Sequence, residues 1–275
     1  MSGGKPLIPP PEGPPWRAAV RGLSPQAARG SEQNPSRRGS EKGERRTLKA
    51  WEGKGRRPFV VAIDGPAASG KGTLARRLAE RFGFAYLDTG ALYRATALAV
   101  IDAAGDPADP AAAEAAARRI DPWLLPGPRQ RGEAVASAAS VVAAIPEVRR
   151  ALLGAQRNFA AHPPVPARGA VLDGRDIGTV VCPQADVKLF ITASTEARAA
   201  RRVKELREQG APAIYENVLQ DLNERDARDS GRRAAPLMAA HDAHVIDTTT
   251  LDADVVFERV CALVARALEE KEWQQ

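Results

Sequence analysis

From Pro58 onward, short apolar runs rich in β-formers alternate with longer stretches of helical period. PFVVAID (58–64) predicts a strand, and the small-residue segment GPAASGKGT (65–73) predicts a loop. TLARRLAERFG (73–83) has apolar residues at 74, 78 and 82 and a closing Gly83, the pattern of an amphipathic helix with its C-terminal cap. FAYLD (84–88) predicts a second strand and ALYRATALAVIDAAG (91–105) a second helix. Ala-rich helices are expected over 109–120 and 132–144, around the turn-like DPWLLPGPRQRG. Pro146, well placed in a first turn, opens a helix reaching about His162. AVLD (170–173), VKLFITA (187–193) and AHVIDT (243–248) predict further strands, and helices are expected at about 195–209, 214–229 and 252–271. Strands alternating with helices imply an α/β fold, a parallel sheet with helices on both faces.

The stretch before Pro58 breaks this rhythm. Pro and Gly make up 17 of residues 1–57, and no run has helical or strand period, so this tail is expected to be disordered. It holds 13 Lys and Arg against 5 Glu, a charge of +8, so residues 58–275 carry −2 and the chain's net +6 belongs to the tail. A solvated extension, a start codon placed too far upstream, and a basic nucleic-acid or targeting arm remain open readings. Trp16 and Trp51 form no regular stacking array, which makes nucleic acid the weakest of these. Nothing approaches 18 consecutive apolar residues, so no membrane span is expected and cytoplasm is the default location. Cys182 and Cys261 stand too far apart in sequence for a redox or zinc motif, and His162, His241 and His244 have no metal spacing.

The strongest chemical signal is Gly65-Pro66-Ala67-Ala68-Ser69-Gly70-Lys71-Gly72-Thr73. A phosphate cradle needs backbone N–H groups turned inward, a helix N-terminus behind the anion, and a Lys that reaches the phosphates. All three stand here in strand–loop–helix order. Gly72 separates Lys71 from Thr73, so the pattern is GxxxxGKGT, a variant associated with nucleoside monophosphate kinases, rather than GxxxxGK[ST]. Asp173 ends a strand, where it can hold Mg2+ through water, with Thr73 as a second candidate. Residues 58–275 contain 23 Arg and 4 Lys. Arg94, Arg175 and the cluster Arg225, Arg228 and Arg232 follow strand ends or loops, where an α/β sheet faces its ligand. Planar guanidinium forks suit the charge spread over a transferring phosphoryl group.

Taken in order, IDGPAASGKGT, YLDTGALYR, AASVVAAIPEVR, VLDGRDIGTVV and ERDARDSGRRAAPL resemble the bacterial cytidylate kinase family, over roughly residues 58–270. The resemblance implies the nucleoside monophosphate kinase fold: a five-stranded parallel core, an NMP-binding region here at about 95–165, and a lid at about 195–232. It implies transfer of the γ-phosphoryl group of ATP to CMP or dCMP with Mg2+. Gly65 to Thr73 match its ATP phosphate loop. Thr89, Arg149 and Asp176 match cytosine-recognising positions, and Ser140, Arg225 and Asp229 match positions that contact the sugar. Arg94, Arg175 and Arg232 match basic positions around the acceptor phosphate. Arg198, Arg201 and Arg202 fall in the lid, to close over ATP. Lys71, Arg94, Arg175, Arg202 and Arg232 are the expected catalytic set.

The chemistry agrees. A CMP phosphate is already ionised, so no general base is needed, and catalysis reduces to positioning and charge neutralisation. Cytosine offers an N4 amino donor that a carboxylate such as Asp176 accepts. Family members commonly carry a small antiparallel β insertion where this chain has only about 120–132, so the CMP-binding part is expected to be helical and smaller. A monomer acting on free nucleotides is expected. Another nucleoside monophosphate kinase, UMP/CMP or adenylate type, is the nearest alternative, and an RNA-binding P-loop protein is the more distant one.

Overall fold

The computed structural model describes residues 57–122 and 132–273. The expected disorder of the tail falls outside these residues, Arg57 excepted, as does most of the shortened 120–132 segment. Five strands form one parallel sheet in the order β2-β3-β1-β4-β5. They are β1 (Phe59–Asp64), β2 (Ala85–Asp88), β3 (Gly169–Gly174), β4 (Val187–Thr192) and β5 (His244–Asp247). Each lies within a residue or so of its expected bounds. β1 and β3 are buried throughout, as their near-continuous apolar runs require of central parallel strands.

The helices are α1 (Lys71–Phe82), α2 (Thr89–Asp102), α3 (Pro110–Ala117), α4 (Glu133–Val142) and α5 (Pro146–Ala161), followed by α6 (Thr195–Glu208), α7 (Tyr215–Ser230) and α8 (Ala253–Trp273). Leu74 and Leu78 of α1 pack with Val256, Val260 and Val264 of α8 against Val61, Ile63, Leu189, Ile191 and Ile246. The alternate residues Val60, Ala62, Ala170 and Leu172 pack with Phe159 and Ala160 of α5, so the period of two along the strands feeds both faces of the sheet. A separate cluster of Leu92, Val100, Ala113, Val142, Val148 and Leu152 holds α2–α5 together. The helices expected over 91–105, 109–120, 132–144 and from Pro146 all lie in this region. Among the described residues no helix is long and apolar enough to cross a membrane.

Local chemistry sets the element ends. Gly70 has φ 87°, a left-handed conformation that glycine adopts without penalty, and α1 starts immediately after it. A Cβ on Gly65 would stand 2.0 Å from the carbonyl oxygen of Ile191, so only glycine lets the loop leave β1 this close to β4. Asp88 accepts the backbone N–H of Ala91 at 3.1 Å and caps α2. Beyond β3, Ile177–Val181 form a single π-helical turn, an element the sequence pattern did not suggest. Its wide bonds run from Val181 N–H to the Asp176 carbonyl at 3.1 Å and from Cys182 N–H to the Ile177 carbonyl at 2.7 Å.

Candidate active site

β1 and β2 end in aspartate, Asp64 and Asp88, and Asp173 is the last residue but one of β3 at the same edge of the sheet. Beyond that edge lies a cleft of about 590 Å³, closed on its far sides by α2, α4, α6 and α7. Ligands of open α/β sheets bind at this carboxyl edge.

The phosphate loop forms one wall. Lys71, the first residue of α1, points into the cleft, with its Nζ 3.4 Å from the Pro66 carbonyl. Burial, then the neighbouring Arg175, pushes Lys71 down to about 8, while Asp173 and Asp88 oppose the shift. Asp173 is pushed up to about 6 by burial and by Asp88, its partner in the β2–β3 register, against the pull of Lys71. At Asp173 burial and the charge of Asp88 together outweigh the pull of Lys71. Tyr86 donates its hydroxyl to Asp173 Oδ1 at 3.0 Å, and Thr89 donates to the Asp173 carbonyl at 2.7 Å.

Arginines form the opposite wall. Arg94 donates to Asp88 at 2.6 Å. Arg175 donates through Nε to Asp229 at 2.9 Å, and Arg232 reaches the other oxygen of the same carboxylate. Burial pushes Asp229 up, but Arg175 and Arg232 outweigh it and hold the carboxyl low. Arg149 donates to Asp176 and lies over the Tyr93 ring at 5.6 Å. Arg202, paired with Glu205 at 2.9 Å, and Arg225, which reaches Asp221 and the Ala136 carbonyl, complete the wall from α6 and α7. Two buried polar atoms at this wall, Arg232 Nε and Ser140 Oγ, have no hydrogen-bond partner among the described residues. Such groups are costly unless something satisfies them. Eight cationic side chains line the cleft against five carboxylates, a surplus suited to an anion.

Of the residues singled out from sequence, Ala67, Ala68, Lys71, Thr89, Arg94, Ser140, Arg149, Asp173, Arg175, Asp176, Arg202, Arg225, Asp229 and Arg232 all line this cleft. Others go elsewhere. Ser69, Gly70 and Thr73 line a second, mostly apolar cleft of about 230 Å³ on the other side of the loop, with Arg77, Ile191, Arg201, Thr248 and Leu251. The expected metal pair is therefore not brought together: Asp173 faces the first cleft and Thr73 the second. Gly72 is the residue beside Asp173, since a Cβ there would lie 3.4 Å from Asp173 Oδ2. The three arginines of α6 expected to close over ATP also part company. Arg201 donates to the carbonyl and hydroxyl of Thr248 at 2.5 and 3.0 Å. Arg198 is 3% exposed and faces inward, donating to the carbonyls of Ala67 and Ala193 at 3.2 and 3.0 Å and to Asp226 at 2.6 Å. It buttresses the phosphate loop from below, which corrects the expectation that it closes over ATP. Tyr86, Asp88 and Arg76 line or frame the site and were not anticipated.

The sequence that builds this site matches a known family. The family model described as "Cytidylate kinase" matches residues 61–266. A "Cytidylate kinase" of Rhodospirillum rubrum is 60% identical over 196 residues, covering 71% of this chain and 92% of the relative. One of Paramagnetospirillum magneticum is 58% identical, covering 74% and 97%, and one of Methylocella silvestris is 56% identical, covering 76% and 95%. With the matched region running from β1 into α8 and taking in every strand and both walls of the cleft, this chain belongs to the cytidylate kinase family.

Proposed function

We propose that this chain transfers the γ-phosphoryl group of ATP to CMP and dCMP, giving CDP or dCDP and ADP. The observation that carries the reading is the layout of the first cleft. A phosphate loop with its lysine forms one wall, a buried guanidinium–carboxylate pair stands opposite, and arginines lie between.

The acceptor base lies against Arg149 and Asp176. Cytosine's amino group donates to the carboxylate, and its ring acceptors face the guanidinium, a match uracil does not provide. Thr89 supports the same end. Ser140, Arg225 and Asp229 take the sugar, and the unpartnered Ser140 hydroxyl gains a partner there. Arg94, Arg175 and Arg232 hold the acceptor phosphate. Donor phosphates thread the backbone N–H groups of Gly65–Thr73, and the donor base occupies the apolar second cleft, which opens directly from Ser69, Gly70 and Thr73.

The acceptor phosphate is a dianion and attacks without a base. Lys71, Arg202 and the acceptor arginines neutralise the charge that spreads over the transferred group. The residues present fit a Mg2+ ion held through water at Asp173: its carboxyl and that of Asp88 repel each other beside the loop, and among the described residues no cluster of three ligands binds a metal by itself. Asp173 would hold such a cation beside the donor phosphates, where it would supply shielding of their charge. The described cleft is completed by one chain, which supports a monomer, and free nucleotides as substrates support a cytoplasmic location without nucleic-acid or membrane partners.

The test is product identity. Incubated with ATP, CMP and Mg2+, the chain should form CDP and ADP in equal amounts, read by anion-exchange chromatography. ADP accumulating without CDP would contradict the proposal.

A further inference from the structure

Asp64 is the last residue of β1 and is 4% exposed, yet the chemistry above gives it no task. Its Oδ1 accepts the backbone N–H of Ile177 at 2.7 Å and its Oδ2 that of Gly178 at 2.8 Å. These are the first two residues of the π-helical turn, and the residue before them is Asp176. The opening N–H groups of a helical turn have no partner within it. Here a carboxylate from a different strand supplies both. On its other side the turn closes onto Asp176 itself, whose carbonyl accepts from Val180 and Val181 at 2.9 and 3.1 Å.

The arrangement is costly. Burial, the dominant influence, lifts the Asp64 carboxyl to about 6 and Asp176 adds to the rise, while the two amide bonds and Arg175 oppose it. A neutral side chain of this size offers one acceptor, and the site needs two. The phosphate loop does not depend on this carboxylate. Gly65 is wedged against Ile191, and the backbone of Asp64 sits in the ladder between Gly174 and Phe190. What the carboxylate alone fixes is the start of the acceptor loop.

We propose that Asp64 is a positioning residue for the acceptor nucleotide: through the amides of Ile177 and Gly178 its carboxylate sets where Arg175 and Asp176 stand relative to the phosphate loop. One residue thereby ties the donor loop, which follows it in sequence, to the acceptor loop, which it holds in space. The inference rests on the reading of Arg175 and Asp176 as acceptor contacts.

Asp64→Asn keeps the shape but turns an amide donor against a backbone N–H. Losing one charge-assisted bond predicts a KM for CMP about 10-fold or more higher, a smaller preference for CMP over UMP, and a KM for ATP within about twofold of the unmodified chain. Asp64→Ala, with no acceptor and no opposing donor, should move the same parameters in the same direction. In folded protein, equal rises in both KM values, or no rise in either, overturns the proposal. In the unmodified chain the amides of Ile177 and Gly178 should exchange slowly with or without nucleotide, and fast exchange of both overturns it without any variant. If Asp176→Ala leaves CMP untouched, the underlying reading fails. If Asp176→Ala weakens CMP and Asp64→Asn does not, only the positioning role fails.

Discussion

Arg149 donates to Oδ2 of Asp176, joining α5 to the loop after β3 through side chains that are 11% and 7% exposed. Among the described residues Oδ1 of the same carboxylate has no recorded protein partner, and both groups line the cleft. The pair therefore presents a donor and an acceptor side by side, the complement of cytosine's pairing edge. Asp176→Ala should raise KM for CMP and narrow the gap between CMP and UMP by about 10–150-fold, the loss of one bond to a charged group. If the carboxylate only held Arg149 in place, KM for ATP or the melting temperature would suffer as much as KM for CMP. An unchanged CMP/UMP ratio of kcat/KM removes Asp176 as the base reader.

Lys71 faces the phosphate side of the cleft and packs in none of the apolar clusters. Lys71→Ala should keep the fold and lose about 100- to 1,000-fold or more in kcat, the scale of a removed transition-state charge contact. Circular dichroism and steady-state kinetics on one preparation check it, and near-normal kcat in folded protein would remove the loop from the mechanism.

Two arginines of α6, four positions apart, should behave in opposite ways. Arg198→Met strands Asp226 and frees the carbonyl of Ala67, so it should cost about 3 kcal/mol of stability, or roughly 6–12 °C in Tm. Arg202 lines the cleft, and its ion-pair partner Glu205 is the more exposed of the two. Arg202→Met should leave Tm within about 2 °C and lower kcat about 10-fold or more. Thermal melts and kinetics on both variants separate the roles, and equal melting losses would contradict the division.

Asp64 also predicts a pH term in stability. Its carboxyl is pushed up to about 6 from 3.8, chiefly by burial, so the ionised form is penalised in the folded chain. The penalty is full above about pH 6 and is relieved as pH falls through that value, because the folded state then takes up the proton first. Between pH 7 and pH 5 the unmodified chain should therefore gain on Asp64→Asn by about 1–2 kcal/mol. Denaturant melts of both proteins at the two pH values measure this, and parallel pH dependence would contradict it.

Much of this fold could be read from period alone. The strands fell where short β-rich runs predicted, since central parallel strands leave little room for polar residues. The π-helical turn was hidden because IGTVV has the composition of a strand, and what bends it is a carboxylate 113 residues earlier. Arg198 and Arg202 have the same chemistry in sequence. Only the packing of α6 against Ala67 and Leu222 decides that one is buried and the other faces the cleft. Thr73 stands in the sequence as a second candidate for Mg2+, two positions after Lys71 rather than directly after it. One extra residue turns a helix by about 100°, which carries Thr73 to the far side. Asp88 has a signal in the sequence, an aspartate that closes β2 in register with Asp173 of β3.

The central claim is that the first cleft selects cytosine as phosphoryl acceptor. A coupled assay with Mg2+ and ATP over AMP, UMP, CMP and dCMP measures kcat/KM for each acceptor in one experiment. The account predicts that CMP and dCMP are phosphorylated with kcat/KM about 10-fold or more above UMP and AMP, the scale of one base-reading bond to a charged group. Turnover of UMP or AMP equal to that of CMP would contradict it.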